Sequence, residues 1–433
     1  MMKFVSTRGG GIASLEEALF SGLASDGGLY MPAQMPDLAN FTELESKEFQ
    51  VSAVWSATQI FIDHLKKSEL TSITKRAFNF PVPLVEVEPN IHVLELFHGP
   101  THAFKDVGAQ FMAGLMGHVM ASHSKNIQVT VLVATSGDTG GAVAKAFHGL
   151  SGIRVIVLFP RDGVSERQRR QMSTLGDNVF AVMVSGSFDD CQRITKEALA
   201  SDHLRGLYNL TSANSINIGR LIPQMFYYVH ASNILGSVPS LFVVPSGNLG
   251  NLCAGLMAHR AGMPAVRFLA AMNANDTFAK FLETGMMGEQ NSIPTISSAM
   301  DVAIPSNLER IRWLFDDDRD HLGRIVQGAS IDDHETRQCI LEVYDKAGYI
   351  LDPHSAVAYK MAQKFNDNRS GPTVVMATAH PAKFPDVVES IIDRKIEIPE
   401  GLYDVMGKEE KLYNIMPNLE ELKFFLENDG CHA

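Results

Sequence analysis

The chain has 433 residues, 45% of them hydrophobic and 20% charged, which excludes a disordered polypeptide and allows two or three domains around a large core. Lys and Arg number 37 against 49 Asp and Glu, a formal net charge of −12 with no basic tract, so nucleic acid is not an expected partner and anions must be bound by local donors. No apolar run reaches membrane-spanning length and Met1–Arg8 lacks the apolar core of a signal peptide, so no membrane association and a cytoplasmic setting are expected.

Residues 1–90 read as a mainly helical unit. Ser14 and Glu17 have capping-box spacing before a short amphipathic stretch. A longer helix is predicted from about Lys47 to Leu65, with Val51, Val54, Trp55, Thr58 and Ile62 near one face. Pro81, Pro83 and Pro89 then break regularity and suggest a boundary. The four cysteines, Cys191, Cys253, Cys339 and Cys431, lie far apart without a C-x-x-C. This argues against a disulfide framework or structural zinc and fits a reducing compartment.

From residue 91 the pattern is strand, loop, helix, repeated. Ile91–Leu96, Gln128–Ala134, Ile153–Phe159, Asn178–Val184, Leu241–Val244, Val266–Ala271 and Thr373–Ala377 are apolar runs of strand length. Helix-period segments lie between them, among them Asp189–Leu199, Ile216–Val229 and Leu252–Ala261. Apolar strands alternating with helices predict α/β units with parallel sheets covered on both faces. The tail after about Ile398 is more charged and is expected to pack as peripheral helices. The organisation predicted is 1–90, then 91–225 with the first sheet, then 226–433 with the second.

Lys105 is a lone lysine in Phe97-His98-Gly99-Pro100-Thr101-His102-Ala103-Phe104-Lys105-Asp106, between a predicted strand and a predicted helix. Low-dielectric surroundings favour a neutral amine, which can attack a carbonyl to form a Schiff base. A helix-start lysine with its head in solvent accounts for the same position. His98 and His102 are spaced i, i+4, but Gly99-Pro100 between them argues against a helical metal pair.

Open parallel sheets bind ligands beyond the carboxyl ends of their strands, and unusual loops follow three of the predicted strands. Thr135-Ser136-Gly137-Asp138-Thr139-Gly140-Gly141 combines hydroxyls and glycines where a helix begins, which suits an anion or an ordinary tight turn. Ser246-Gly247-Asn248-Leu249-Gly250-Asn251 has two glycines for close backbone approach and positive φ, in front of a helix whose positive end suits a phosphate. Ala377-Thr378-Ala379-His380-Pro381-Ala382-Lys383-Phe384 reads as a loop with a proline helix start. A fourth stretch, Ser212–Arg220, has capping residues Asn214 and Ser215, while Arg220 near a helix start runs against the macrodipole.

The Lys105 segment resembles the cofactor-lysine segment of threonine synthases, which belong to the fold type II pyridoxal-phosphate enzymes. Ser6-Thr7-Arg8-Gly9, the Ser-Gly-Asp-Thr-Gly loop, the Asn-Ser-Ile-Asn stretch with its following Arg, and Thr378-Ala379-His380-Pro381 also resemble that family, in the same order along the chain. The resemblance implies an α/β fold like the tryptophan synthase β subunit, with an N-terminal mainly helical domain and two parallel-sheet α/β domains.

It implies pyridoxal 5'-phosphate carried on Lys105, the catalytic residue. The cofactor's phosphate would be held by Gly247, Asn248, Leu249, Gly250 and Asn251, its ring hydroxyl would lie beside Asp138, and its pyridine nitrogen opposite Thr378. Relatives often have Asn where this chain has Asp138, so a carboxylate there needs a proton or an altered hydrogen bond. His102 departs from the apolar residue frequent in the family. Thr135, Ser136, Gly137 and Thr139 would hold a substrate α-carboxylate, and Asn214, Ser215 and Arg220 a substrate phosphate.

The implied reaction is conversion of O-phospho-L-homoserine and water to L-threonine and phosphate, the last step of threonine biosynthesis, with no metal and no obligate protein partner. A fold type II dehydratase acting on serine or threonine is the alternative enzyme, disfavoured because it needs no second phosphate site. A catalytically silent binding protein is disfavoured by the presence of Lys105 and all the loops.

Overall fold

The computed structural model describes residues 2–122, 128–287, 291–365 and 371–428. Its strands in chain order are β1 (Phe4–Ser6), β2 (Ile12–Ala13), β3 (Tyr30–Pro32), β4 (Leu84–Glu88), β5 (Ile91–Glu95), β6 (Val129–Ala134) and β7 (Ile153–Pro160). Then follow β8 (Val179–Val184), β9 (Leu210–Ser212), β10 (Ser240–Pro245), β11 (Ala265–Met272), β12 (Val326–Ser330), β13 (Thr373–Ala377) and β14 (Leu412–Ile415).

They form a five-stranded sheet, β14-β8-β7-β6-β9, and a six-stranded sheet, β12-β11-β10-β13-β5-β4. All neighbours are parallel except β4 with β5. Every residue of β6, β7, β10 and β13 is buried, as continuous apolar strands between helical layers require. The six-stranded sheet takes β4 from before residue 90, and the five-stranded sheet takes β14 from the tail. The sheets therefore interleave across the boundaries expected at 90 and 225, and the tail contributes an edge strand as well as helices.

The N-terminal region contains a three-stranded antiparallel sheet, β2-β1-β3, besides its helices. Ser14 and Glu17 close the expected capping box. The predicted long helix spans Phe49–Phe61, and its buried face is not the predicted one: Val51 and Ile62 are exposed. The core face is instead Phe49, Ser52, Ala53, Ser56, Ala57, Ile60 and Phe61. Small residues let this helix approach helix Met225–Ile234, and the hydroxyls are satisfied locally: Ser56 Oγ donates to the Ser52 carbonyl at 2.8 Å, and Ser52 Oγ meets His230 Nδ1 at 3.3 Å.

The predicted helix Ile216–Val229 is broken into Ile218–Leu221, a 3-10 turn Ile222–Gln224 and Met225–Ile234. Pro223 in the turn lacks an N–H and cannot sit in a continuous helix.

Both sheets contain a point where the strand order reverses. In the five-stranded sheet the reversal lies between β6 and β9, and in the six-stranded sheet between β10 and β13. A crevice opens at the carboxyl ends of strands at such a point. Each of the unusual loops found in the sequence leaves one of these strands, and the Lys105 loop leaves β5, next to β13.

Candidate active site

The chain from Phe97 to Phe104 crosses from β5 to the helix Lys105–Ser122. Ala103 and Ala379 form an antiparallel bridge. Around it, the Phe104 amide donates to the Thr378 carbonyl at 2.8 Å and the His380 amide to the His102 carbonyl at 3.0 Å. The loops after β5 and β13 are thus one main-chain unit. His102 takes φ +57° to make the turn. Asp106 is buried, accepting from the Thr101 amide at 2.8 Å and the Thr101 hydroxyl at 2.7 Å. Burial still pushes its carboxyl up to about 6.

One cavity is lined by residues of every loop predicted: Lys105, Thr135, Ser136, Asp138, Thr139, Asn214, Ser215, Arg220, Gly247, Asn248, Leu249, Gly250, Asn251 and Thr378. Gly137 is not among the lining residues. It takes φ +139°, and an added Cβ would lie 2.5 Å from Gln168 Cδ. Its amide is spent on Thr135 Oγ1, which accepts from Gly137 and Gly140, both at 2.9 Å. The Thr135 oxygen therefore braces the loop, while Ser136 and Thr139 carry the open hydroxyls. Asn214 uses its side chain on β6, accepting from the Ala134 amide at 3.1 Å and donating to the Ala134 carbonyl at 2.6 Å.

The positive φ expected at Gly247 or Gly250 is found at Leu249, φ +58°, whose side chain is buried in the core. Gly247 is needed for closeness: a Cβ there would sit 2.7 Å from Met300 Cα. At Gly250 a Cβ would meet only Ser215 Cβ at 3.4 Å and Asn307 Nδ2 at 3.5 Å, ordinary contacts. Asn248 ties this loop to its neighbour, donating to Ser215 Oγ at 2.8 Å.

The Lys105 amine stands 4.5 Å from the centroid of the Phe104 ring. Burial, then the positive charge of Arg220, lower its pKa to about 8, against a smaller upward pull from Asp138. Asp138 is ion-paired with Lys383, Nζ to Oδ1 2.7 Å, and accepts from Gln168 Nε2 at 2.9 Å. Burial alone would raise this carboxyl, but Lys383 and Gln168 outweigh it and hold Asp138 below its ordinary value. Asp138 is thus held ionised, with its charge balanced by Lys383.

Two donors on the cavity lack a protein acceptor. Arg220 is buried and gives Nη1 to the Ala213 carbonyl, while its Nε has no partner. Among the described residues no carboxylate forms an ion pair with it, and burial lowers it to about 10. Asn251 accepts from the hydroxyls of Tyr227 at 2.9 Å and Tyr228 at 2.7 Å, leaving its Nδ2 without a partner. Buried polar groups are normally satisfied, so both point to a ligand. A lysine amine for an aldehyde, together with amides and orphaned donors for a phosphate, fit pyridoxal phosphate.

His380 is structural. Its Nδ1 accepts from the Ala382 amide at 3.1 Å, capping the turn Pro381–Lys383, and it is not among the cavity residues. His98 meets Glu95 at 2.6 Å. His102 lies edge-on to His380, and burial lowers both to about 4. Cys191, Cys253 and Cys339 are buried free thiols, and Cys431 lies outside the described residues.

Sequence reasoning missed several residues. Lys383 shares the signal that singled out Lys105, a lone lysine in an apolar loop. His354 lines the cavity; its Nε2 accepts from the Ala299 amide at 3.1 Å, so its Nδ1 proton faces Asp352 Oδ1 at 2.8 Å. Arg310 is fully buried and clamps the fourth loop through the carbonyls of Ser215 at 2.8 Å and Ile216 at 2.6 Å. The sequence marks Gln168 only as the fourth residue of a capping box with Ser165, which gives no hint that it also reaches Asp138.

Residues 79–379 match the pyridoxal-phosphate dependent enzyme family, residues 3–78 the threonine synthase N terminus and residues 355–426 the threonine synthase C-terminal region. The threonine synthase of Buchnera aphidicola subsp. Acyrthosiphon pisum is 40% identical over 423 residues, covering 95% of this chain and 96% of that one. That of Escherichia coli is 38% identical over 400 residues, covering 90% of each.

The crystal structure of PLP-bound threonine synthase from Brucella melitensis superposes with a TM-score of 0.92 at 34% identity over 100% of both chains. The Escherichia coli structure gives 0.91 at 35% identity over 99% of this chain and 100% of that one. With the cavity assembled as described, these likenesses place the chain in the threonine synthase family of pyridoxal-phosphate dependent enzymes.

Proposed function

We propose that this chain converts O-phospho-L-homoserine and water to L-threonine and phosphate, as a carbon–oxygen lyase acting on a phosphate ester. The observation that carries the substrate is Arg220: a buried guanidinium with no ion-pair partner among the described residues, in the same cavity as Lys105. A buried charge needs a counter-charge, and a planar fork suits a phosphate. The donors at the Gly247–Asn251 loop suit a second phosphate, that of the cofactor. A dehydratase acting on serine or threonine has only that one phosphate to hold.

When bound, pyridoxal phosphate supplies an electron sink for charge developing on the substrate carbons. The remaining work falls to the chain. Lys105 would hold the cofactor through its Nζ, and its free amine would carry protons at the same atom. A pKa near 8 makes that nitrogen both a competent base and a competent acid near neutrality. Ser136 and Thr139 orient the α-carboxylate, and Thr378, a hydroxyl on the same cavity, would be a neutral partner for the pyridine nitrogen. Ser215 and Arg220 hold the γ-phosphate as its carbon–oxygen bond breaks and the electron pair leaves with it. A β-proton is lost as that bond breaks, one proton is returned to the γ-carbon to make the methyl group, and water delivers its hydroxyl to the β-carbon and its remaining proton to the released phosphate. We read the protein as acting in the cytoplasm on a small molecule, without nucleic acid, membrane or obligate protein partner.

The test is substrate discrimination with Arg220→Ala. Losing a hydrogen bond to a charged group costs about 1.5–3 kcal/mol, or roughly ten- to 150-fold in affinity. The variant should raise KM for phosphohomoserine by that range and weaken inhibition by inorganic phosphate, with cofactor affinity unchanged. Arg220→Lys should recover only part, because the fork is lost. Release of ammonia from serine or threonine faster than phosphate from phosphohomoserine would favour the dehydratase. No turnover of any of them by cofactor-loaded protein would favour the silent binder.

A further inference from the structure

Asp138 is the one carboxylate among the cavity-lining residues, and it is not alone. Lys383 reaches it from the other sheet: Asp138 follows β6 of the five-stranded sheet, and Lys383 follows β13 of the six-stranded sheet. Lys383 is completely buried, with Nζ 2.7 Å from Asp138 Oδ1 and 2.8 Å from the Thr101 carbonyl. Gln168 Nε2 completes the shell of Asp138 at 2.9 Å. Neither charge is stable there alone, because an unpaired buried ion neutralises or destabilises the fold.

We propose that Lys383 is a positioning residue of the cofactor site: it cancels the charge of Asp138, so that the carboxylate offers the cofactor's ring hydroxyl an acceptor with no net charge behind it. The inference rests on the reading of Lys105 and Asp138 given above. A lone carboxylate would repel an ionised ring oxygen, and a lone ammonium would drain charge from it. The pair carries no net charge, and Asp138, already accepting from Lys383 and Gln168, offers its carboxylate as an acceptor for the ring hydroxyl's proton, as the carbonyl oxygen of an asparagine would. Lys383 also grips the Thr101 carbonyl, and Thr101 holds Asp106 next to Lys105, so the pair is mechanically joined to the cofactor lysine. The other ionisable groups around it are Lys105, Asp106, Arg220, His354 and His102.

The test compares Lys383→Met, Asp138→Asn and the double variant in full-length protein. Pyridoxal phosphate is titrated into each apo-protein, the visible absorbance of the bound cofactor is followed against pH, and circular dichroism monitors folding. Each single variant leaves one charge unbalanced and should weaken cofactor affinity about tenfold or more, the equivalent of 1.4 kcal/mol. The absorbance midpoint should rise in Lys383→Met and fall in Asp138→Asn, because a negative charge stabilises a protonated nitrogen and a positive charge opposes it.

The double variant carries no lone charge and should return both readouts to within about threefold of the parent, the neutral pair having been replaced by a neutral amide. A double variant as weak as the worse single, or absorbance midpoints unmoved in all three, would overturn the proposal and leave the pair as a brace between sheets. Failure of the double variant to fold would do the same. Loss of cofactor binding in the parent protein would instead sink the reading of Lys105 on which the proposal stands.

Discussion

The amide of Phe104 donates to the carbonyl of Thr378 at 2.8 Å, so the residue before Lys105 is fixed to the loop after β13. The lysine amine and the Thr378 side chain, which line the same cavity, are therefore held in register by main chain rather than by side-chain contacts.

Removing the amine should consequently leave the scaffold intact. Lys105 Nζ makes no hydrogen bond or ion pair among the described residues, and its burial as a cation is unfavourable. Lys105→Ala apo-protein should unfold at the same or a slightly higher temperature, measured by calorimetry. Its mixture with pyridoxal phosphate should lack the visible band of a lysine-bound cofactor, and turnover should vanish. Retention of that band with full phosphate release would place the cofactor on another lysine.

The same burial sets a pH dependence. Lys105 is lowered from 10.5 to about 8, so its neutral, nucleophilic fraction rises with pH through about 8. The rate at which apo-protein captures pyridoxal phosphate should rise with a midpoint near that value, where an exposed lysine would give one near 10.5. The stability effect has the same sign. Between about 8 and 10.5 the unfolded chain binds more protons than the folded one, so this residue makes apo-protein stability rise with pH over that window. A capture midpoint near 10 would show the amine to be solvated.

Gly247 and Gly250 should separate steric from ligand effects. A Cβ at Gly250 meets only ordinary contacts, and Gly250 opens its helix without a positive φ, so a side chain is admissible there. Gly250→Ala apo-protein should be at least as stable as the parent, yet bind the cofactor more weakly. Gly247→Ala must push the Met300 backbone from 2.7 Å and should lose both stability and affinity. Thermal unfolding and cofactor titration of both apo-proteins decide this. Undiminished affinity in Gly250→Ala would move the cofactor phosphate elsewhere.

Seven strands, β5, β6, β7, β8, β10, β11 and β13, were legible as mainly apolar runs, and Thr373–Ala377 matches its predicted span residue for residue, whereas the short or polar parallel strands Leu210–Ser212 and Val326–Ser330 carry no such run. The loops were legible because glycines and hydroxyls after such strands have few other uses. What escaped was non-local. The buried face of Phe49–Phe61 is built from Ser and Ala, whose burial depends on the helix opposite and not on their own hydrophobicity. β14 is a four-residue strand whose pairing with β8 spans more than two hundred residues of chain. Asp138 was found, but its partner Lys383 lies across the cleft on the other sheet, and no spacing rule connects the two.

The central claim is cleavage of the substrate's carbon–oxygen bond with water entering at carbon, and heavy-oxygen water tests it most directly. Purified, cofactor-loaded protein is incubated with O-phospho-L-homoserine in labelled water, and both products are analysed by mass spectrometry. The account predicts threonine and phosphate in equal amounts, with the label in the threonine hydroxyl and none in the phosphate. Label in the phosphate, accompanied by homoserine, would mean attack at phosphorus and would contradict it.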